Sequence, residues 1–403
     1  MRRNILIVSP RLPWPLYSGG NIGVYYILDY IRKYEDITFV TLSDWHKRNG
    51  KYMAELEKRF PEIHFMLYDW QKSPFRTHDF LYKLIVKIGE RFRCPGGEKF
   101  AALLPLLGTT PGFIQYVNDV IKERKIDIVQ VEFLSPIRLV YALPDNVRKI
   151  FVHHELGWVV RAQSCGNDIY SNFLRKYLDA EEISALNQYD TVISVTDVDK
   201  QKLLAAGVKA NVIVSTSPVT DKLLPKARHK YDGRLTFIGG SDHPWNYTGI
   251  KWFVESVLPL VKAKYPETKL EVIGVWKDDK IEDIHQIDKE VAFKGFVEDL
   301  TDILRNSIFV VPINVGSGMR MKILEAANHS VPFVSTVVGA EGLVFKDKED
   351  CFIKDSPKAM ADAIVRLIED DRLYQKFSAK VHDVFASDYT QEAAGKKRLT
   401  AYE

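Results

Sequence analysis

The chain has 403 residues, 46% hydrophobic and 27% charged, a balance that builds globular cores and excludes collagen-like, low-complexity and wholly disordered chains. Lys and Arg outnumber Asp and Glu by 56 to 53, and a net charge of +3 is too small for a protein that depends on many nucleic-acid phosphate contacts. Cys94, Cys165 and Cys351 are far apart and form no CxxC, so neither a disulfide framework nor a zinc signature is present, and a reducing compartment is expected.

The apolar run Ile5 to Val8 is too short for a signal-peptide core and is followed at once by Pro10, Pro13 and Pro15. No apolar stretch reaches the roughly 20 residues that span a bilayer. The first strand is read over 4–8. A loop with Gly19, Gly20 and Gly23 follows, then a helix to about Tyr34 and a strand over 37–42. Further apolar strands are expected over 126–133, 149–154, 190–195 and 211–214, with a helix over 197–205. Apolar strands alternating with helices predict a parallel sheet covered on both faces.

The stretch 215–233, with Pro218, Pro225 and several basic residues, has no apolar periodicity and reads as the interdomain linker. A second series begins at the strand over 234–240. A helix near Asn246 follows, with Asn246 as its N-cap, then a strand over 269–274 and three more in VAFKG, SIFVVP and VPFVST. A helix over 358–385 and a last helix from about Thr390 complete the chain. The expected fold class is α/β, with two Rossmann-like doubly wound domains facing a central cleft. The boundaries are 1–215, 216–385 and a C-terminal helix 386–403 that returns toward the first domain. Ligands in such sheets sit beyond the carboxyl ends of the strands.

Between Pro312 and Leu343 lies PINVGSGMRMKILEAANHSVPFVSTVVGAEGL. Gly316 and Gly318 allow close backbone approach to a ligand, and the helix beyond them, read over 319–328, offers free N–H groups and a positive dipole end. Lys322 and Glu325 are three apart on one helix face, so they suit a diphosphate and a sugar hydroxyl pair. The same spacing also suits a surface ion pair on an amphipathic helix. His153 and His154 end an apolar strand next to Glu155; alternation along a strand lets only one of the two histidines face a cleft. A neutral imidazole there could donate a hydrogen bond to a sugar, and Glu155 could act as a base. Thr196 and Asp197 open a helix, so the Asp-x-Asp of Asp197 and Asp199 reads as capping and no metal is expected. The segment 72–99 has seven basic residues against three acidic, with apolar residues interleaved. It reads as an amphipathic helix, either packed on the core or lying on an anionic membrane.

The 312–343 stretch resembles the donor-binding signature of the family four glycosyltransferases of GT-B fold, also called glycosyl transferases group 1. The resemblance rests on Pro312, the Leu324-Glu325-Ala326 triplet, Val331-Pro332-Phe333-Val334 and Gly339-Ala340-Glu341-Gly342. It extends through SPRLPWPLYSGGNIGVYYIL, FIGGSDHPWNYTGIKWFVESVLPLV and FKGFVEDLTDIL, nearly the whole chain. The resemblance implies a ribose contact for Glu325 and backbone approach to the diphosphate at Gly239 and Gly240. It implies a phosphate and acceptor border at Gly19 and Gly20, and a nucleobase reader at Gly295, Phe296 and Val297. It further implies a cleft-facing His at 153 or 154, and donor hydroxyls near Glu341. The family often carries a second Glu eight residues before the first. Here that position is Ser317, as in the branch with a GSGMR-x-K loop, where amides around Gly316, Ser317, Gly318 and Met319, with Arg320 and Lys322, serve the phosphates. The family's usual Arg and Lys pair after the strand ending at Gly240 is not evident.

As an activity, the resemblance implies a retaining, metal-independent hexosyltransferase that moves a sugar from a nucleoside diphosphate sugar to a hydroxyl. Its acceptor would be a glycan or lipid-linked molecule in polysaccharide or surface-glycan assembly. No cofactor is expected beyond the nucleoside diphosphate sugar as co-substrate, no nucleic acid is a partner, and the location is cytoplasmic, at or near the inner membrane face. The alternatives are a non-catalytic nucleotide-sugar-binding subunit and a sugar-nucleotide epimerase.

Overall fold

The computed structural model describes residues 2–42, 49–72, 74–77, 80, 109–164, 168–316 and 318–403. They form two compact units, one of 1–217 with 394–403 and one of 218–393. The expected amphipathic helix over 72–99 lies almost wholly outside the described residues, as does Ser317.

The first unit runs β1 (Asn4–Ser9), α1 (Gly19–Ile31), β2 (Asp36–Leu42), α2 (Asn49–Arg59), β3 (His64–Tyr68), α3 (Pro111–Glu123), β4 (Ile128–Glu132), β5 (Arg148–His153), α4 (Gly157–Ser164), α5 (Ile169–Leu186), β6 (Thr191–Ser194), α6 (Asp197–Ala205) and β7 (Asn211–Val214). Its described strands pair in parallel in the order β3-β2-β1-β4-β5-β6-β7. Alternate residues feed opposite faces: Leu6, Val8, Val129 and Val131 enter one core, Ile5, Ile7, Ile128 and Ile150 the other. Both faces are therefore dry, which is why these strands read as unbroken apolar runs.

The second unit runs β8 (Arg234–Ile238), α7 (Pro244–Ser256), α8 (Leu258–Lys262), β9 (Lys269–Ile273), α9 (Asp278–His285), β10 (Ala292–Gly295), α10 (Thr301–Leu304), β11 (Ile308–Val311), α11 (Met321–Asn328), β12 (Phe333–Ser335), α12 (Val337–Ala340), β13 (Phe352–Ile353), α13 (Pro357–Glu369) and α14 (Asp371–Asp388). The strand order β10-β9-β8-β11-β12-β13 repeats the logic of the first sheet. No regular element lies between Val214 and Arg234. Helix α15 (Gln391–Thr400) leads into the closing segment of the first unit.

Three local expectations change. Gly19 and Gly20 lie in no loop: they are the first residues of α1, capped by Ser18, and neither has positive φ. The predicted tail helix is two helices, because Asp370 leaves helical geometry (φ −115°, ψ 89°) and its carboxylate accepts from the Leu373 amide at 3.0 Å to start α14. Helix α7 begins at Pro244, with His243 at the cap position; Asn246 lies inside the first turn and its side chain is directed elsewhere. Thr196 does cap α6, accepting from the Asp199 amide at 2.9 Å. No helix among the described residues is long and apolar enough to cross a membrane.

Candidate functional site

In both sheets the strand order reverses beside the first strand, between β1 and β4 and between β8 and β11. Loops leaving the carboxyl ends of such neighbours diverge and open a crevice there. The predicted chemistry falls at these two places.

In the second unit, β8 runs into Gly239 and Gly240. Gly239 has φ of +151°, and a Cβ there would stand 2.6 Å from Asn246 Nδ2 and 2.8 Å from Lys322 Nζ. Bare backbone is therefore what lets these side chains approach the strand end. The Gly239 carbonyl accepts from Trp276 Nε1 at 2.7 Å, and the Gly240 carbonyl from Asn246 Nδ2 at 2.8 Å. On the neighbouring strand, Gly274 (φ +128°) packs against Gly239, and its amide donates to the Gly295 carbonyl at 2.7 Å. That hydrogen bond draws the 295–297 segment beside the glycines of β8; Phe296 in it is 57% exposed.

From the other side, β11 leads through Pro312 into the loop of Gly316 (φ +116°), Gly318 (φ +79°) and Met319. Thr336, which caps α12, donates through Oγ1 to the Ile313 carbonyl and ties the loop's base to β12. Arg320 stands at the N-cap position of α11, within 2.8 Å of where a Gly316 Cβ would be, and donates to the Gly318 carbonyl. Glu341 follows α12 and is half-buried.

Lys322 donates to Asn246 Oδ1 at 2.7 Å, and its Nζ lies 4.0 Å over the Phe237 ring. Among the described residues it has no carboxylate partner, and Glu325 is not its mate. Burial, then the neighbouring Arg320 charge, push the Lys322 ammonium well below its ordinary range. Desolvation with the charges of Lys322 and Arg320 lowers the His243 imidazole in the same way. Burial alone raises the Glu325 carboxyl to about 7. Lys322 and Arg320 thus lie close together beside the strand-end glycines and the N-terminus of α11, a setting in which an anion is favoured. The carboxyl one turn along α11 is left able to accept hydrogen bonds.

In the first unit, His153 and His154 are held by different acids. His153 is buried; its Nε2 pairs with Glu182 at 2.9 Å, and Glu182 also binds Arg161 at 2.6 Å. His154 is only half-buried and pairs through Nε2 with Glu132 at 2.5 Å. Its ring stacks on Phe133, centroids 4.3 Å apart and planes 17° apart. The Arg11 guanidinium lies 4.2 Å over the same Phe133 ring. A Cβ on Gly20 would stand 3.0 Å from the Phe133 ring and 3.1 Å from Arg11 Nη2, so the α1 glycine makes room for this stack. The Glu155 charge acts on Arg11.

The structure thus gathers Gly239, Gly240, Gly295, Gly316, Gly318, Arg320, Lys322 and Glu325 at one strand-end crevice. Gly20, His154 and Glu155 gather at the other, and His153 is withdrawn into the core. His243 and Trp276 in the second unit, and Arg11, Phe133 and Glu132 in the first, went unread in the sequence, and Asn246 was read only as a cap. A helix-start Asn or a strand-end Glu carries no local mark of a partner far along the chain.

Comparison with known proteins bears on the fold. Residues 232–370 match the family model for glycosyl transferases group 1. An uncharacterised 44.6 kDa protein in the cps region of Klebsiella pneumoniae is 27% identical over 139 residues, which are 32% of this chain and 36% of that protein. The match thus spans about a third of that relative's length. Among solved structures, S. aureus TarM superimposes with a TM-score of 0.71 at 15% identity, covering 100% of this chain and 99% of its own. Anabaena HepE in complex with UDP gives 0.67 at 14%, covering 100% and 99%. Sucrose-phosphate synthase of Thermosynechococcus elongatus gives 0.70 at 16%, covering 100% and 98%. The chain therefore has the GT-B fold of these glycosyltransferases, and its residues 232–370 resemble the glycosyl transferases of group 1.

Proposed function

We propose that the chain is a glycosyltransferase that moves a sugar from a nucleoside diphosphate sugar to a hydroxyl acceptor. The second unit takes the donor and the first unit the acceptor. The observation that carries this reading is Lys322, desolvated next to Arg320 and Gly239 with an amide, not a carboxylate, as its partner. A departing diphosphate supplies the missing negative charge, and stabilising that charge is the main electrostatic demand of the reaction. Lys322, Arg320 and the amides around Gly316 and Gly318 would meet the phosphates. Glu325 would accept from the ribose hydroxyls, the 295–297 segment would border the base, and Glu341 the donor sugar.

Uridine is the base favoured here, because TarM and HepE were solved with UDP and HepE also with UDP-glucose. Retention at the anomeric carbon, independence of metal and a place in polysaccharide or surface-glycan assembly are drawn from the family resemblance, and the cps-region relative supports the last. The chemistry asked of the protein is charge neutralisation, which the Lys and Arg provide without a bound cation.

A thermal-shift panel of UDP, GDP and ADP tests the reading. At a hundred times its dissociation constant the matching nucleotide adds about 2.7 kcal/mol of stability. No shift with any of the three refutes a nucleotide pocket. A shift without sugar transfer to any hydroxyl acceptor marks a binding subunit instead.

A further inference from the structure

The half-buried His154 is one end of a hydrogen-bonded chain whose other end lies in the last residues of the protein. The Tyr402 hydroxyl donates to Gln130 Oε1 at 2.7 Å. The Gln130 amide donates to Glu132 Oε1 at 2.6 Å, and His154 Nε2 meets Glu132 Oε2 at 2.5 Å. Gln130 and Glu132 are two apart on β4, so both project to the same side of the sheet. The Arg398 guanidinium lies 3.8 Å from the same carboxylate and donates through Nε to Ser215 Oγ at 3.2 Å. Glu132, Gln130, Arg398 and Tyr402 are all buried to within 2% of complete.

A buried carboxylate without compensation would take up a proton. Burial does work against ionisation of Glu132, but the His154 hydrogen bond and charge, then the Arg398 charge and the Gln130 hydrogen bond, outweigh it and hold its carboxyl below the usual range. An ionised carboxylate only accepts hydrogen bonds. The His154 nitrogen that meets it must therefore carry the proton. The sequence invited a neutral imidazole that donates to a substrate; a neutral ring in this place has already given its one N–H to Glu132. The other nitrogen, Nδ1, has no partner among the described residues and is not shut into the core. The stack of Arg11, Phe133 and His154 fixes the ring plane.

We propose that Glu132 is a positioning residue that sets His154 with its proton on Nε2, leaving Nδ1 as the acceptor for a substrate hydroxyl, and that Arg398 of the C-terminal helix supplies the countercharge. This rests on the reading that the first unit receives the hydroxyl substrate. His154 touches substrate; Glu132 and Arg398 act through it. His153, whose Nδ1 is sealed in the core, takes no part.

The test uses the full chain labelled with 15N-histidine, with His154→Gln identifying the His154 signals. With the ring in its neutral form, the spectrum should show His154 protonated on Nε2 and bare on Nδ1. Glu132→Gln should shift that pattern toward a mixture of tautomers, because an amide can donate as well as accept. In turnover, Glu132→Gln and His154→Gln should each lower kcat by roughly 10- to 100-fold with donor KM little changed. The double variant should be no worse than His154→Gln alone, since the two side chains act as one. Arg398→Met should lower kcat in the same direction. A wild-type spectrum with the proton on Nδ1, a pattern indifferent to Glu132→Gln, or losses in kcat that multiply would each overturn the proposal. Absence of any sugar transfer by the wild-type chain overturns the functional reading instead; the spectrum then still decides whether Glu132 sets the tautomer.

Discussion

Lys322 gives its ammonium to an amide oxygen and an aromatic face. A hydrogen bond to a charged group is worth roughly 1.5–3 kcal/mol, whereas a desolvated charge without a counterion costs several. The free pocket is therefore less stable than its packing alone would make it. Lys322→Met should leave thermal stability equal or raise it while removing most of the nucleotide-induced shift; a variant that melts lower and still binds UDP would contradict the phosphate role. Glu325 makes the complementary case. Its carboxyl is raised to about 7, so in the interval between the ordinary carboxylate value and about 7 the folded chain holds a proton that the unfolded chain has lost. Stability contributed by this group is complete at low pH, falls as pH rises through that interval and is flat above it. Glu325→Gln removes the dependence and should stabilise the free protein at about pH 8 by on the order of 2 kcal/mol. Melts across pH check the slope, and a steeper slope in the variant would show that another group is responsible.

Two strand ends and one helix start build the proposed donor site, and each depends on a short-range device. β8 ends in Gly239, whose conformation and crowding leave no room for a side chain. Gly239→Ala would force φ strain of roughly 1–3 kcal/mol and displace Asn246, and through it Lys322. Its expected signature is a modest loss of melting temperature with a disproportionate loss of UDP affinity by calorimetry; wild-type affinity would mean that the glycine does not matter to the pocket. Elements of this kind were legible in sequence where the cause is local. The apolar strands, the Thr196 cap and the glycine-rich loop before α11 are all written in adjacent residues. Asn246 misled because a residue at a helix start looks like a cap, while its real partner, Lys322, is 76 positions away. Gly19 and Gly20 were read as part of a loop but open α1; what demands Gly20 is the Phe133 ring, which no nearby residue announces.

At the scale of the whole molecule, a seven-stranded and a six-stranded sheet of like order, counted among the described residues, share one chain, and the first unit is completed from the far end of the sequence. Ala394, Ala401 and Tyr402 join the same apolar cluster as Ile5 and Ile7. Gly395 lies so close to Tyr30 on α1 that a Cβ would fall 2.0 Å from the ring. Gly395→Ala should therefore destabilise the first unit by about 1–3 kcal/mol, as overpacking does, and leave the second untouched. Calorimetry with UDP present separates the two, because only the second unit's transition should move with ligand; a shift of both would contradict the assignment. The tandem Rossmann pattern was readable because it repeats locally. The buried Arg398 and Tyr402 were not, since a basic residue and a tyrosine near a terminus read as solvent-exposed.

That closure has a consequence for synthesis. A ribosome delivers residues in order, and domains begin to fold as they emerge. All of 218–393 leaves the exit tunnel before Ala394, so the later half of the protein can settle while the earlier half still waits for its last helix. The nascent first sheet meanwhile exposes the apolar seat of Tyr402 and leaves Glu132 without its arginine, the interval in which this polypeptide would most need a chaperone.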